Sequence, residues 1–215
     1  KVVLAVDSGQ RESTASWAAL LRDLKARGLA APRLTIADGH LGIWGALAEV
    51  YPESAEQRCW NHKLTNVLDR VPRKAQAEVR EWLRKMMYAE TRSACEAARK
   101  RFRAQYRRCY LQAVATLERD WERLVSFFAF PEPHWLHLRT TNIVESPFAV
   151  VRLRTTAGKR YKKVANATAL IWKVLCVAEK TFRRLNAPEL LPAVYVGAQY
   201  EDGVRVNNAP ERVAA

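Results

Sequence analysis

The sequence lacks the features that mark several large classes of protein. No apolar run approaches the roughly 20 residues of a membrane-crossing helix, and Lys1–Asp7 is too short for the apolar region of a signal peptide. We find no glycine-rich phosphate loop, no Gly-x-Ser-x-Gly elbow and no dinucleotide fingerprint. These absences predict a soluble, cytoplasmic protein with no membrane partner, and they argue against the enzyme classes that those three motifs mark.

Cysteine and acidic residues are also scarce. The four cysteines are widely scattered, which predicts reduced thiols and no disulfide framework. The 22 Asp and Glu are outnumbered by 36 Lys and Arg, so the formal charge is +14. Such a charge favours polyanionic partners, with nucleic acid first among them. The 49% apolar content is enough to fill a substantial core.

Strand and helix patterns alternate along residues 1–71. Leu20, Leu21 and Leu24 have the spacing of one helix face. The alternation favours parallel strand pairing and a mixed α/β layer. In order, the predicted elements are a strand at Val2–Val6, a helix from Ser13 or Thr14 to near Gly28, a strand at Arg33–Ala37, a helix at about Leu41–Val50, a strand at Gln57–Trp60 and a helix through Leu64, Val67 and Leu68.

The pattern changes at Pro72. Residues 72–130 carry two apolar stripes with helical spacing and no strand signal, which predicts an all-helical insertion into the α/β layer. The proline-rich Phe130–Pro133 segment ends it. Residues 131–200 are basic and largely helical in pattern, and residues 201–215 are expected to form a loosely ordered tail.

Two carboxylates are candidates for catalysis. Asp38 follows a predicted buried strand, at the edge where α/β sheets place ligands. Its alternative role is an ordinary turn or helix cap. If Asn142 caps the next helix, Glu145 occupies the third position of that helix. If Ser146 caps it, Pro147 takes the first position and Glu145 lies just outside the helix. Carboxylate oxygens suit hard divalent cations, so the pair suggests a metal-dependent site.

Cysteine and histidine form a rival pattern. Cys59 and His62 have the spacing of half a zinc site, and His134 and His137 could supply the other half. Alternatively, His62 lines a cleft or belongs to the core.

Basic residues surround Glu145 in the sequence. They predict contacts with the DNA backbone, and the alternative is a solvated helix face. Thr140, Thr141 and Asn142 add neutral groups that can bond phosphate. The predicted basic contacts are Arg139, Arg152, Arg154, Lys159, Arg160, Lys162 and Lys163.

Four segments together closely resemble the Mutator-type transposases of bacterial insertion sequences. They agree in order and separation, and the resemblance covers almost the whole chain. It implies a ribonuclease H-like fold with an all-helical insertion, and DNA transposition by metal-dependent strand cleavage and strand transfer. The segments are Ile36–Gly39, Gln57–Val67, His134–Ser146 and Val151–Thr155.

The resemblance also assigns roles to residues. It implies Asp38 as the second Asp and Glu145 as the Glu of a site for two Mg²⁺ or Mn²⁺ ions. Cys59 and His62 match the Cys-x-x-His signature near the active centre, with Asn142 as an accessory residue. The implied partners are transposon ends and target DNA, bound in the nucleoid by a homodimer or higher oligomer.

The same resemblance places the family's first Asp upstream of Lys1. We therefore expect residues 1–215 to bind DNA without cutting it. Two alternatives stay open. One is an active nuclease of the same fold that uses Asp7 with Asp38 and Glu145. The other is a zinc-stabilised, non-catalytic DNA-binding protein that uses Cys59, His62, His134 and His137.

Overall fold

The structure is a computed structural model that describes residues 1–7, 13–157 and 161–206. These residues form a mixed α/β protein that is mostly helical. The chain divides into two compact units. The first unit comprises Lys1–Lys63 and His137–Leu185, and the second comprises Leu64–Leu136 with the described part of Asn186–Ala215.

A two-stranded parallel sheet forms the centre of the first unit. Strand β1 (Leu34–Ala37) pairs with β2 (Ala55–Arg58), so that Ala37 lies opposite Arg58. The connection between them contains a helix at Leu41–Val50, as parallel pairing requires a crossover. The helices with most of their residues in this unit are α1 (Thr14–Ala26), α2 (Leu41–Val50), α9 (Asn142–Ala157) and α10 (Val164–Glu179).

Helix α1 packs against α2, and the two helices share one apolar core. Ser13 caps α1, because its Oγ accepts a hydrogen bond from the Ser16 N–H at 3.2 Å. Gly28 ends the helix with a positive φ of 96°. The core of this region consists of Ala18, Ala37, Ile43, Trp44, Ala46, Leu47, Val50 and Tyr51.

The second unit is a helical bundle with one short hairpin. Phe127 and Phe128 both meet the Trp135 ring edge to face, with ring centroids 5.3 and 5.0 Å away. Helices α3 (Trp60–Leu68) and α8 (Trp135–Leu138) have residues in both units. The remaining elements are α4 (Gln76–Met87), α5 (Arg92–Tyr106), α6 (Leu111–Glu118), α7 (Trp121–Val125), α11 (Leu191–Tyr195), β3 (Tyr200–Glu201) and β4 (Val204–Arg205).

Three local predictions need correction. Val2–Val6 is not a strand: the Val3 N–H donates to a Glu179 carboxylate oxygen at 3.2 Å, and Arg27 donates to the Leu4 carbonyl at 2.9 Å. Side chains thus occupy backbone groups that a partner strand would need. The strand predicted at Gln57–Trp60 instead runs from Ala55 to Arg58, because Trp60 already begins α3.

The expected loose tail begins instead with an antiparallel hairpin. Tyr200 pairs with Arg205, and Glu201 with Val204. The rest of that predicted tail, residues 207–215, lies outside the described residues. No helix in the described part of the chain combines the length and apolarity needed to cross a membrane.

Candidate functional site

The carboxyl ends of β1 and β2 bring Asp38 and Cys59 to one edge of the sheet. Each residue directly follows its strand, and the Cys59 N–H donates to the Ala37 carbonyl at 2.7 Å. An Asp38 carboxylate oxygen accepts the His40 N–H at 3.0 Å and shapes the turn into α2. Asp38 thus forms the turn that the sequence offered as its alternative role. The His40 bond uses only one of the two carboxylate oxygens of Asp38.

Residues 139–142 are attached to the segment that follows β2. The Trp60 N–H donates to the Arg139 carbonyl at 2.9 Å. The Asn61 side-chain amide donates to the Asn142 side-chain oxygen, also at 2.9 Å. These bonds join parts of the chain about 80 residues apart, with |i−j| of 81 for the asparagine pair.

Thr141 contacts the three residues Cys59, His62 and Glu145. Its backbone N–H donates to the buried Cys59 sulfur at 3.3 Å, and its hydroxyl oxygen lies 3.2 Å from the same sulfur. The same hydroxyl lies 3.4 Å from His62 Nδ1 and also bonds to Glu145 Oε1. Thr141 therefore connects the sheet edge to the first turn of α9.

Glu145 returns to this edge through those contacts. Its Oε1 lies 3.8 Å from His62 Nδ1. Ligand atoms of Cys59, His62 and Glu145 all lie within 4.8 Å of one another. The side chains of His62 and Glu145 are 43% and 52% exposed, so both groups are open to solvent, whereas Cys59 is fully buried.

The Asp38 carboxylate is not a member of that three-residue group among the described residues. A metal site shared by Asp38 and Glu145 therefore stays a prediction, supported by the common sheet edge. Asp7, the alternative first carboxylate, is exposed in a segment without regular secondary structure and is not in the group either.

The start of α9 separates the two capping alternatives. Helix α9 begins at Asn142, so the Ser146 cap with Pro147 at the first position is wrong, and Asn142 is the first helical residue instead of the cap. Pro147 instead lies inside the helix. The backbone N–H of Glu145 donates to the Thr141 carbonyl at 3.1 Å, which places Glu145 in the first turn, where a carboxylate is favourable to the helix dipole.

The residues predicted to contact DNA occupy different environments. Thr140 is only 8% exposed and Arg139 is half-buried. Arg152 lies seven residues after Glu145, two helical turns or about 10 Å along the same face of α9, whereas Arg154 faces away from it. Lys159 and Arg160 lie outside the described residues, and the exposed members are Arg152, Arg154, Lys162 and Lys163.

The second histidine pair of the predicted zinc site has other surroundings. His134 is buried in the second unit, with Nε2 3.1 Å from the Ala187 carbonyl oxygen. Among the residues that the structure describes, neither His134 nor His137 belongs to the group of possible metal ligands formed by Cys59, His62 and Glu145. The four-residue zinc site stays a prediction.

Sequence reasoning missed the central role of Thr141. It treated Thr141 as a phosphate contact, although its spacing of four residues from Glu145 was a signal that the two side chains meet on a helix. It also missed Arg58, whose guanidinium lies close to Gly39. A single sequence carries no signal for that contact, because it depends on the pairing of β1 with β2.

Comparisons with known proteins identify the family to which the chain is similar. The family model described as Transposase, Mutator family, matches residues 1–184. The transposase of insertion sequence element IST2 from Acidithiobacillus ferrooxidans is 43% identical over 208 residues, which are 96% of this chain and 70% of that protein. The transposase of IS6120 from Mycolicibacterium smegmatis is 42% identical over 203 residues, which are 94% of this chain and 63% of that protein.

A more distant relative is the transposase of ISRM5 from Rhizobium meliloti. It is 31% identical over 169 residues, which are 79% of this chain and 42% of that protein. The chain thus spans between 42% and 70% of the length of these three relatives. The resemblance found in the sequence motifs is confirmed, and the chain belongs to the Mutator family of transposases.

Proposed function

We propose that the chain is part of the ribonuclease H-like catalytic core of a transposase that cleaves and joins DNA strands. Family membership supports DNA transposition as the process. The observation that carries the catalytic part of the proposal is the return of Glu145 to the sheet edge through Thr141 and Cys59, next to the strand end that bears Asp38.

The two carboxylates fit the Mg²⁺ or Mn²⁺ ions that the family resemblance implies. Asp38 and Glu145 offer hard oxygen ligands, and both are solvent-exposed at the same end of the sheet. When bound, such a pair of ions polarises the scissile phosphate and stabilises the leaving oxygen. The protein residues would hold the ions at the sheet edge and exclude alternative orientations of the carboxylates.

Within this proposal, Thr141 and Cys59 position Glu145. The Thr141 hydroxyl donates to Glu145 Oε1 and leaves the other carboxylate oxygen outside that bond. The buried Cys59 sulfur accepts the Thr141 backbone N–H and lies 3.2 Å from the Thr141 hydroxyl, so it contacts both the backbone and the side chain of Thr141. His62 lies beside the carboxylate on the solvent side.

Metal binding by the two carboxylates can be measured directly. Titration of Mn²⁺ into the chain, followed by the paramagnetic resonance signal of free Mn²⁺, should show weaker binding in Asp38→Asn and in Glu145→Gln. Asp23→Asn is the matched control, because Asp23 is an exposed carboxylate on α1, 60% exposed and paired with Arg27. Unchanged Mn²⁺ binding in both site variants would contradict the metal assignment.

DNA binding by the face of α9 that bears Glu145 gives a second test. Because Arg152 shares that face and Arg154 does not, Arg152→Ala should weaken binding to duplex DNA more than Arg154→Ala. One lost phosphate contact lowers the slope of log affinity against log salt by about 0.9. Equal losses in the two variants would show that this face of α9 does not approach the DNA.

We further propose that the protein acts as a homodimer or higher oligomer on transposon ends and target DNA. For residues 1–215 alone, the expected result is DNA binding without strand cleavage. Mg²⁺-dependent nicking of a plasmid by the wild-type chain, lost in Asp38→Ala, would contradict that expectation. The same nicking lost in Asp7→Asn would favour the alternative nuclease.

A further inference from the structure

A second kind of metal chemistry is available at the sheet edge. Cys59, His62 and Glu145 contribute one sulfur, one nitrogen and one oxygen, and these ligand atoms lie within 4.8 Å of one another. We propose that the three residues form a binding site for a thiophilic divalent cation of the Zn²⁺ class. The site shares Glu145 with the proposed Mg²⁺ site, but the inference concerns ion binding and does not depend on transposition.

The chemistry of the donors favours such an ion over Mg²⁺. Zn²⁺ binds cysteine sulfur and histidine nitrogen and accepts a carboxylate oxygen as a third ligand, with an open fourth position for water. Mg²⁺ demands oxygen ligands in near-octahedral geometry and keeps several of its waters. A cluster in which two of three donors are sulfur and nitrogen therefore selects against Mg²⁺.

The distances are close to those of a tetrahedral site. With metal–ligand bonds of about 2.0 to 2.3 Å, neighbouring ligand atoms of tetrahedral zinc lie about 3.5 Å apart. His62 Nδ1 and Glu145 Oε1 are 3.8 Å apart already. The 4.8 Å limit of the group means that the widest pair needs to close by about 1.3 Å at most.

The ligands also differ in freedom in a way that suits closure. Cys59 is fully buried and held by Thr141, so it provides a fixed anchor. The side chains of His62 and Glu145 are 43% and 52% exposed and can rotate onto an ion bound at the sulfur. Closure thus involves the side chains of His62, Glu145 and Thr141, while the buried Cys59 stays in place.

The Thr141 hydroxyl marks the point where the three ligands converge. It lies 3.2 Å from Cys59 Sγ and 3.4 Å from His62 Nδ1, and it bonds to Glu145 Oε1. A metal ion would replace this hydroxyl as the shared partner of the three groups. Rotation of the Thr141 side chain moves the hydroxyl away, while the backbone N–H of Thr141 retains its bond to the sulfur.

Cobalt substitution tests the site without any activity assay. Co²⁺ added to the reduced chain should produce a thiolate-to-cobalt charge-transfer band in the near ultraviolet that saturates at one equivalent and disappears when Zn²⁺ is added. Cys59→Ser should abolish the band. The matched control is Cys176→Ser, a second free cysteine of the first unit on α10, which should leave the band unchanged.

The surface ligands provide variants that do not disturb the core. His62→Ala and Glu145→Gln should weaken Co²⁺ binding by at least about tenfold, since even the loss of an outer-shell partner costs 10- to 100-fold. Circular dichroism checks that each variant is folded. Absence of the band in the folded wild-type chain, or its persistence in Cys59→Ser, overturns the proposal.

Competition with Mg²⁺ separates this inference from the proposed function. A cobalt band that survives excess Mg²⁺ supports the thiophilic site whether or not Mn²⁺ binds Asp38 and Glu145. Conversely, Mn²⁺ binding that depends on Asp38 and Glu145, without any cobalt band, supports the proposed function and overturns the thiophilic site.

Discussion

Gly39, the residue after Asp38, lies so close to the Arg58 guanidinium that a methyl group added at Gly39 would collide with it. Its φ is +95°, and a Cβ built on it would lie 2.3 Å from Arg58 Cζ and 2.4 Å from Arg58 Nη1. Arg58 is 8% exposed and directly precedes Cys59, so its guanidinium has little room to withdraw. We predict that Gly39→Ala destabilises the first unit and displaces the Asp38 turn.

Gly28 is a matched control, because the two glycines have nearly the same positive φ and differ in their surroundings. Gly28 has φ +96° and nothing within 4 Å of an added Cβ. A left-handed backbone costs an L-residue about 1–2 kcal/mol, which is the expected effect of Gly28→Ala. Overpacking adds about 1–3 kcal/mol, so Gly39→Ala should lower the free energy of unfolding by about 2–5 kcal/mol.

Urea unfolding followed by circular dichroism measures both variants under the same conditions. The difference between them isolates the contact with Arg58, since the backbone cost cancels. Mn²⁺ affinity should fall in Gly39→Ala and not in Gly28→Ala, because only the first substitution moves Asp38. Equal losses of stability would refute the argument, since they would mean that the guanidinium moves aside at no cost.

Three further predictions concern single side chains. Thr141→Val keeps the shape but removes the hydroxyl, so it should lower the unfolding free energy by about 1 kcal/mol; no change would mean that these bonds exchange freely with water. Pro147→Ala restores an N–H inside α9 that can donate to the Ile143 carbonyl, and the urea midpoint should rise by the equivalent of about 1–3 kcal/mol; a lower midpoint would show that the buried ring matters more. Burial, followed by the hydrogen bond with Glu78 and its charge, raises the pKa of Tyr106, so the unfolded chain loses this proton first and stability should fall as pH rises above about 10. Tyr106→Phe should flatten that alkaline decline in denaturation curves, and an unchanged slope would contradict the assignment.

Local patterns predicted many of the helices well. The helix at Leu41–Val50 has the predicted bounds, and α1 begins at Thr14, one of its two predicted starts. Such features depend on side chains within a few residues of one another, which a sequence displays directly. By contrast, Val2–Val6 has a strand composition but no strand, because a strand also needs a partner at a distance in the chain.

The candidate site divides in the same way. Motif order alone pointed to Asp38, Glu145, Cys59 and His62 and to the family, and the family is confirmed. The metal and the catalytic roles stay predictions. The alternative with Ser146 as a cap was wrong because α9 begins at Asn142, five residues before Pro147, where that cap would start the helix.

By itself, the sequence determined the composition of the site, the basic charge of +14 and the family. Only the tertiary structure decided which of those groups meet. It brought Glu145 to Cys59 and His62 through Thr141, and it kept the Asp38 carboxylate outside that group. The physical reason is that the hydrogen bonds between residues 59–62 and 139–145 join segments about 80 residues apart in the chain, and no local pattern specifies such a closure.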